Sequence, residues 1–308
     1  MRLMHYIKKE ASGLFTTAME LCKYEEKQGH TICVRQPGTD QPLYGRDSGK
    51  WDMQVIHSQM PIKAYHNNVP AGMFMHGEPL SSVGNGVSMK AIVELASLCE
   101  FFICMRQEEW PIWNSIKRTF VVPKGIDLEK YRPLDTLPEK LSGEPAVLYI
   151  ENWRGNRNPL YLCVAMQEVW KKHPNARLHL YNITDKRMLD TFKALIDHNK
   201  WHTFIRSLQG PVADVNELYN KVDMVVSCLH PLYARGIEAF GAGKAFIGPG
   251  YREPGYPWTC DLDPISMAET IMACWEDYDK VNYRQWAIER HDANESVRQC
   301  IEVYQRYL

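Results

Sequence analysis

The chain has 308 residues, 45% of them hydrophobic, with 36 Lys+Arg against 37 Asp+Glu. That length supports two cores of ordinary domain size, and the near balance of charge excludes a chain steered as a whole to nucleic acid or to an acidic membrane surface. Nine cysteines without a CxxC pair read as reduced, mostly buried thiols of a cytoplasmic protein, not as a disulfide framework or a zinc site. MRLMHYI, followed by KKE, reads as a first buried strand and not as a signal peptide. No run approaches the roughly 20 apolar residues of a membrane span. A loop and helix follow in SGLFTTAMELCKYEEKQGH, where Leu14, Ala18, Leu21 and Cys22 share a face and Gly29 ends the helix. HTICVRQP, DMQVIHSQ and AGMFMHGEP are further strand candidates, VSMKAIVELASL is a helix, FFICM a buried strand, and TFVV a strand running into a turn.

Residues 124–145 change character. Pro133, Pro138 and Pro145 lie among charged residues with little periodicity, so this stretch reads as a linker. A second series then begins at AVLYIEN and alternates strands and helices through PLYLCVAMQEVWKKH, RLHLYNI, MLDTFKALIDHNK, FIRSLQG, VNELYNKV, DMVVSCL and KAFIGPG. The expectation is an α/β chain of two Rossmann-like domains, residues 1–123 and 146–282, facing a cleft. A final helix over 283–308 packs back on the first domain, with Val297, Ile301, Tyr304 and Leu308 on one stripe. Ligands of such sheets sit at the carboxyl ends of the strands, near helix amino ends.

GIEAFGAGKAFIG, residues 236–248, contains GAGK, the look of a P-loop. The spacing excludes it. The first glycine of that motif falls on Glu238, and Ala245 after Lys244 has no hydroxyl for magnesium. No GxGxxG follows a strand and opens a helix, which argues against a dinucleotide-dependent dehydrogenase.

Six segments in order resemble the GT-B glycosyltransferases, specifically the retaining glycosyltransferase family 4. SGLFTTAMELCKYEEKQGHTICV is similar to the family's first glycine loop, helix and strand. FMHGEP is similar to its His-Gly segment, and TFVVPKGIDLEKYRP to its V-x-P-N-G-V-D entry to the linker. LYIENWRGNRNPLYLCVAM resembles the Y-x-G-R-x-x-x-x-K-G loop, FIRSLQGPVADVNELYNKVDMVVS the F-x-G-x-V…Y-x-x-A-D stretch, and GIEAFGAGKAFI the x-x-E-A-x-A-x-G-x-P-V-I segment. The resemblance implies that Glu238 accepts hydrogen bonds from the ribose hydroxyls of a nucleotide sugar, with Arg235 and Gly236 beside it. Arg157, at the family's lysine position, would hold the diphosphate, assisted by Arg154, and Asn158 and Pro159 would open the helix aimed at the phosphates. Asn152 stands where the family has its first arginine. His76 occupies the position of the histidine near the reacting sugar. Gly13 allows close approach of backbone to ligand. His230 lies near where the family carries the first of two glutamates, and that glutamate is missing.

His57 and Glu78 are further candidates, and Trp110 and Trp113 are either acceptor platforms or core. No Asp-x-Asp metal pair is evident, and the family pattern requires none. The resemblance implies transfer of a sugar from a UDP- or GDP-sugar to an acceptor hydroxyl with retention, without cofactor, the leaving phosphate helping to deprotonate the acceptor. That acceptor is expected to be a glycan, lipid-linked molecule or small molecule before nucleic acid. The alternatives are a non-catalytic nucleotide- or sugar-binding module, which the missing glutamate favours, and a transferase acting on a modified DNA base, which needs a basic strip.

Overall fold

The computed structural model describes residues 1–7, 13–36, 42–45, 47, 49–57, 68–75, 89–151, 159–184, 186–228, 234–249 and 255–308. The chain forms two compact units, Met1–Asp127 with Arg290–Leu308, and Leu128–Glu289.

The first unit contains β1 (Arg2–Tyr6), α1 (Gly13–Lys27), β2 (Thr31–Arg35), β3 (Pro42–Gly45), β4 (Met53–His57), β5 (Ala71–Met75), α2 (Met89–Leu98), β6 (Phe101–Cys104), α3 (Trp110–Ile116) and β7 (Thr119–Val121). Among the described residues its sheet runs β3-β2-β1-β4-β5-β6-β7. Every neighbouring pair is parallel except β2 and β3. β4, β5 and β6 are buried along their whole length, which is why they read as continuous apolar runs without alternation. β3 escapes sequence reading because four residues bracketed by proline and glycine carry no strand pattern. Gly45 there has φ +72, and a Cβ on it would lie 1.9 Å from the Ile32 carbonyl oxygen. α1 ends as expected, at Gly29 with φ +85.

The second unit contains β8 (Ala146–Tyr149), α4 (Leu160–Lys172), β9 (Arg177–Leu180), α5 (Lys186–Asn199), β10 (Ile205–Leu208), α6 (Val215–Asn220), β11 (Met224–Val226), α7 (Ala234–Gly241), β12 (Ala245–Pro249), β13 (Thr259–Cys260) and α8 (Pro264–Glu276). Its sheet runs β10-β9-β8-β11-β12-β13, all parallel. α4 begins one residue later than the Asn-Pro pair suggests. Pro159 stands before its first residue, and Asn158 lies outside the described residues.

Two sequence expectations are corrected. Residues 128–145 are part of the second unit and tied to it. The Asn216 side chain bonds the Arg132 backbone on both sides, Asn220 accepts from the Leu134 amide, and Arg284 donates to the Leu128 and Tyr131 carbonyls. The stretch 283–308 is two helices, α9 (Tyr283–Arg290) and α10 (Ala293–Gln305). The break falls where Asp292 turns extended to cap the Asn294 amide and forms a bridge with Ile126. α10 carries Val297, Ile301 and Tyr304 into the core of the first unit, whereas Leu308 lies past its end and is exposed.

Candidate nucleotide site and the polar interior of the first unit

In each sheet the strand order reverses at one point, between β1 and β4 in the first and between β8 and β11 in the second. Ligands of open parallel sheets bind outside the carboxyl ends of the strands at such points.

α7 follows β11, one of the two strands at the reversal of the second sheet, and packs on β11 and β12. Its apolar face, Ile237, Ala239 and Phe240, is fully buried. The GAGK stretch is the carboxyl end of this helix. Gly243, with φ +76, closes it as its amide bonds the Phe240 carbonyl and the Lys244 amide bonds that of Ala239. A helix carboxyl end presents carbonyls, so the phosphate-cradle reading is excluded on geometry as well as spacing. Glu238 lies on α7 with 8% of its surface exposed. Its Oε2 accepts two hydrogen bonds, from the Tyr219 hydroxyl at 2.9 Å and from Arg235 Nη1 at 2.8 Å. Its Oε1 accepts none among the described residues. Burial and then the Glu238 charge push the Tyr219 phenol well above its ordinary range, so it remains a donor. For Arg235, burial acts downward, but Glu238 and Tyr219 outweigh it and raise the pKa. The carboxylate is thus clamped by one oxygen and offers the other. Tyr219 was not singled out from sequence; its signal was the tyrosine of the Y-x-x-A-D pattern.

Gly236 belongs to the packing of the same helix: a Cβ there would lie 2.6 Å from the Phe246 ring. Glu151 follows β8 at the reversal and is 3% exposed. It stands at the glycine position of the Y-x-G-R pattern, and burial together with its charge pushes the Cys228 thiol up. Asn152, Arg154, Arg157, His230, His76 and Glu78 lie outside the described residues. Gly13 is the first residue of α1. Trp113 is fully buried, edge-on to Phe102, and Trp110 donates its indole N–H to the Thr119 carbonyl. Trp113 is therefore core, and Trp110 is tied to β7.

The first unit carries polar groups in its core, of which sequence reading named only His57, as a further candidate. His5 of β1, Glu25 of α1 and His57 at the end of β4 are each 0% exposed. His5 Nδ1 lies 3.0 Å from His57 Nε2, and His5 Nε2 lies 2.8 Å from Glu25 Oε2. The second contact has ion-pair distance without hydrogen-bond alignment. The Tyr304 hydroxyl of α10 donates to Glu25 Oε1 at 3.3 Å. His57 also lines a cavity of about 40 Å³, with Phe74 and Met105 on its apolar wall. Lys124, which donates to Thr17 Oγ1 at 3.0 Å, and Asp127, bonded by Tyr24, stand at the same cavity. His5, Cys22 and Glu25 place ligand-type atoms within 4.8 Å of one another. A metal there would need the thiolate, and burial plus the Glu25 charge push the Cys22 thiol well above its ordinary range.

No protein-family model matches the chain, and no curated protein matches it in sequence. Solved structures match it over its length. A glycosyltransferase from Rickettsia africae ESF-5 superposes with a TM-score of 0.74 at 14% identity, covering 99% of this chain and 98% of that one. Anabaena Alr3699/HepE in complex with UDP gives 0.76 at 14% identity, over 99% of this chain and 100% of that one. An E. coli trehalose-6-phosphate structure bound with UDP-2-fluoro glucose gives 0.71 at 12%, over 99% of both chains. The fold is GT-B. At these identities the likeness concerns the fold, and the chemistry must be argued from this chain's own residues.

Proposed function

We propose that this protein is a glycosyltransferase that moves a sugar from a nucleotide sugar to an acceptor hydroxyl. The observation that carries the reading is the Glu238 carboxylate, held through Oε2 by Tyr219 and Arg235 while Oε1 accepts nothing among the described residues. Two vicinal ribose hydroxyls are donors that seek such an acceptor. The reading is supported by solved structures of the same fold that hold UDP, UDP with glucose, or UDP-2-fluoro glucose.

In this proposal Glu238 binds the ribose, and Arg157, with Arg154, neutralises the diphosphate as its charge grows. Helix amino ends add to that stabilisation, so a divalent ion is not needed. His76 contacts the donor sugar, and Gly13 and Asn152 flank the donor. The transfer is retaining, in the manner of glycosyltransferase family 4. The donor is a UDP- or GDP-sugar, and the acceptor is a glycan, a lipid-linked molecule or a small molecule met in the cytoplasm.

The deciding measurement is thermal unfolding against a panel of nucleotides and nucleotide sugars. A ligand at 100 times its dissociation constant adds about 2.7 kcal/mol, so one base should stand out, with or without EDTA. If no nucleotide shifts the transition, the reading fails.

A further inference from the structure

Holding Glu238 uses one donor of Arg235 and leaves the others. A guanidinium carries five N–H donors in a planar fork. Glu238 takes its bond from Nη1. Nε and Nη2 present parallel N–H bonds along the other edge of the fork, and that edge meets no acceptor among the described residues. It is not sealed in the interior. The Arg235 side chain is 31% exposed against 11% for Glu238, and none of its nitrogens is a buried orphan. A side-on guanidinium edge of this kind matches two oxygens of a phosphate.

The fold says where the edge stands. α7 joins β11 to β12, which run parallel, so the helix runs back against both and its amino end lies at the carboxyl edge of the sheet. Arg235 is the second residue of that helix. Its neighbour Gly236 has no room for a side chain against the Phe246 ring, so the first turn is seated on β12. Glu238 follows three residues later, about 4.5 Å along the axis, and helical side chains lean toward the amino end. From Glu238 outward the row is therefore carboxylate, guanidinium, helix amino end. In a nucleotide one methylene joins the ribose to its first phosphate. With the ribose hydroxyls on Glu238 Oε1, that phosphate is repelled by the carboxylate and attracted by the guanidinium and the amino end. Electrostatics thus set the direction in which the ligand runs.

We propose that Arg235 binds the phosphate nearest the ribose through its Nε–Nη2 edge while its Nη1 holds Glu238, so that one side chain serves both the ribose and the phosphate. Tyr219, fully buried and bonded to the same carboxylate oxygen, is a positioning residue that acts through Glu238 alone. The assignment rests on the nucleotide-sugar reading given above.

The test compares uridine with UMP by ligand-observed NMR titration (guanosine with GMP if the panel selects guanine). Arg235→Ala should weaken UMP about ten- to a hundredfold, the scale of hydrogen bonds to a charged group, and uridine only about two- to fivefold through the loosened Glu238. Tyr219→Phe should weaken both ligands by the same factor, because it makes no phosphate contact. If Arg235→Ala does not fold, Arg235→Lys carries the test: its ammonium keeps the charge without the second arm, and UMP should still lose more than uridine. Equal losses of UMP and uridine in the Arg235 variants, or a loss seen with UDP and not with UMP, overturn the proposal and leave the ribose role of Glu238 standing. Absence of any nucleotide binding by the wild-type protein sinks the transferase reading and this assignment together.

Discussion

Glu238→Gln isolates the contact on which the function rests. In the wild-type protein Oε2 takes both internal bonds, from Tyr219 at 2.9 Å and Arg235 at 2.8 Å. In the variant the amide oxygen is expected to take that place, because two donors point at it and the NH₂ group cannot satisfy them. The NH₂ then occupies the position of Oε1 and meets the ribose hydroxyls as a donor facing donors. Two losses follow. Internally, the ion pair with Arg235 becomes a hydrogen bond from the still-charged guanidinium to a neutral amide oxygen, a loss of about 1 kcal/mol before screening, and less in practice because the Arg235 side chain is 31% exposed. For the ligand, a mismatched hydrogen bond in a buried site costs about 1–3 kcal/mol, roughly 5- to 150-fold in dissociation constant. The assay is calorimetry of UDP and its 2′,3′-dideoxy analogue (GDP and its analogue if the panel selects guanine) against both proteins. The nucleotide should lose affinity and the dideoxy analogue should lose little, since it never made the contact. Equal losses for the two ligands, or no loss for either, would refute the ribose role and leave α7 a packed helix with an internal ion pair.

Arg157→Ala is expected to weaken nucleoside diphosphate binding by about 1.5–3 kcal/mol, the scale of a charge-assisted bond, with an unaltered melting transition; unchanged affinity moves the phosphate role to Arg154 or to backbone amides. Gly125→Ala should destabilise the first unit by about 1–3 kcal/mol through overpacking, because its Cβ would lie 2.5 Å from the Ala293 Cα of α10; an unchanged melting temperature would show that α10 is loosely seated. His179 is buried between Ser207 at Nδ1 and the Ser142 carbonyl at Nε2, and burial pushes its pKa below the ordinary 6.5. The unfolded chain therefore takes up the proton first, so this contribution to stability is complete above about pH 6.5 and is lost as pH falls from there toward the folded pKa. Urea unfolding at pH 7.5 and 5 should show that decline, and His179→Gln should reduce it; an identical pH dependence in the variant would rule His179 out as its source.

Local chemistry made much of the architecture legible. Apolar runs bounded by turn residues marked β1, β2, β4, β5 and β6 in the first unit, and the helical stripe of α1 was visible up to Gly29. The motif order then pointed to Glu238, because a lone acid in an otherwise apolar helix followed by a left-handed glycine is a local pattern. Other features depend on partners far away in the chain. The placement of β1 between β2 and β4 is set by which strand edges meet, and no window of sequence contains both edges. The break between α9 and α10 follows from the Asp292 cap and its bridge to Ile126, neither of which the helical stripe predicts. Glu25 lies three residues after Cys22 and seven after Ala18, on the buried side of α1, so the sequence did hold an anomaly: a carboxylate in an apolar stripe. What faces it comes from positions 5 and 304, with position 57 beyond His5. Only the pairing of β1 with β4 beneath α1 and α10 brings those groups within 3.3 Å contacts of one another, because a buried charge takes its meaning from neighbours that the chain supplies in three dimensions.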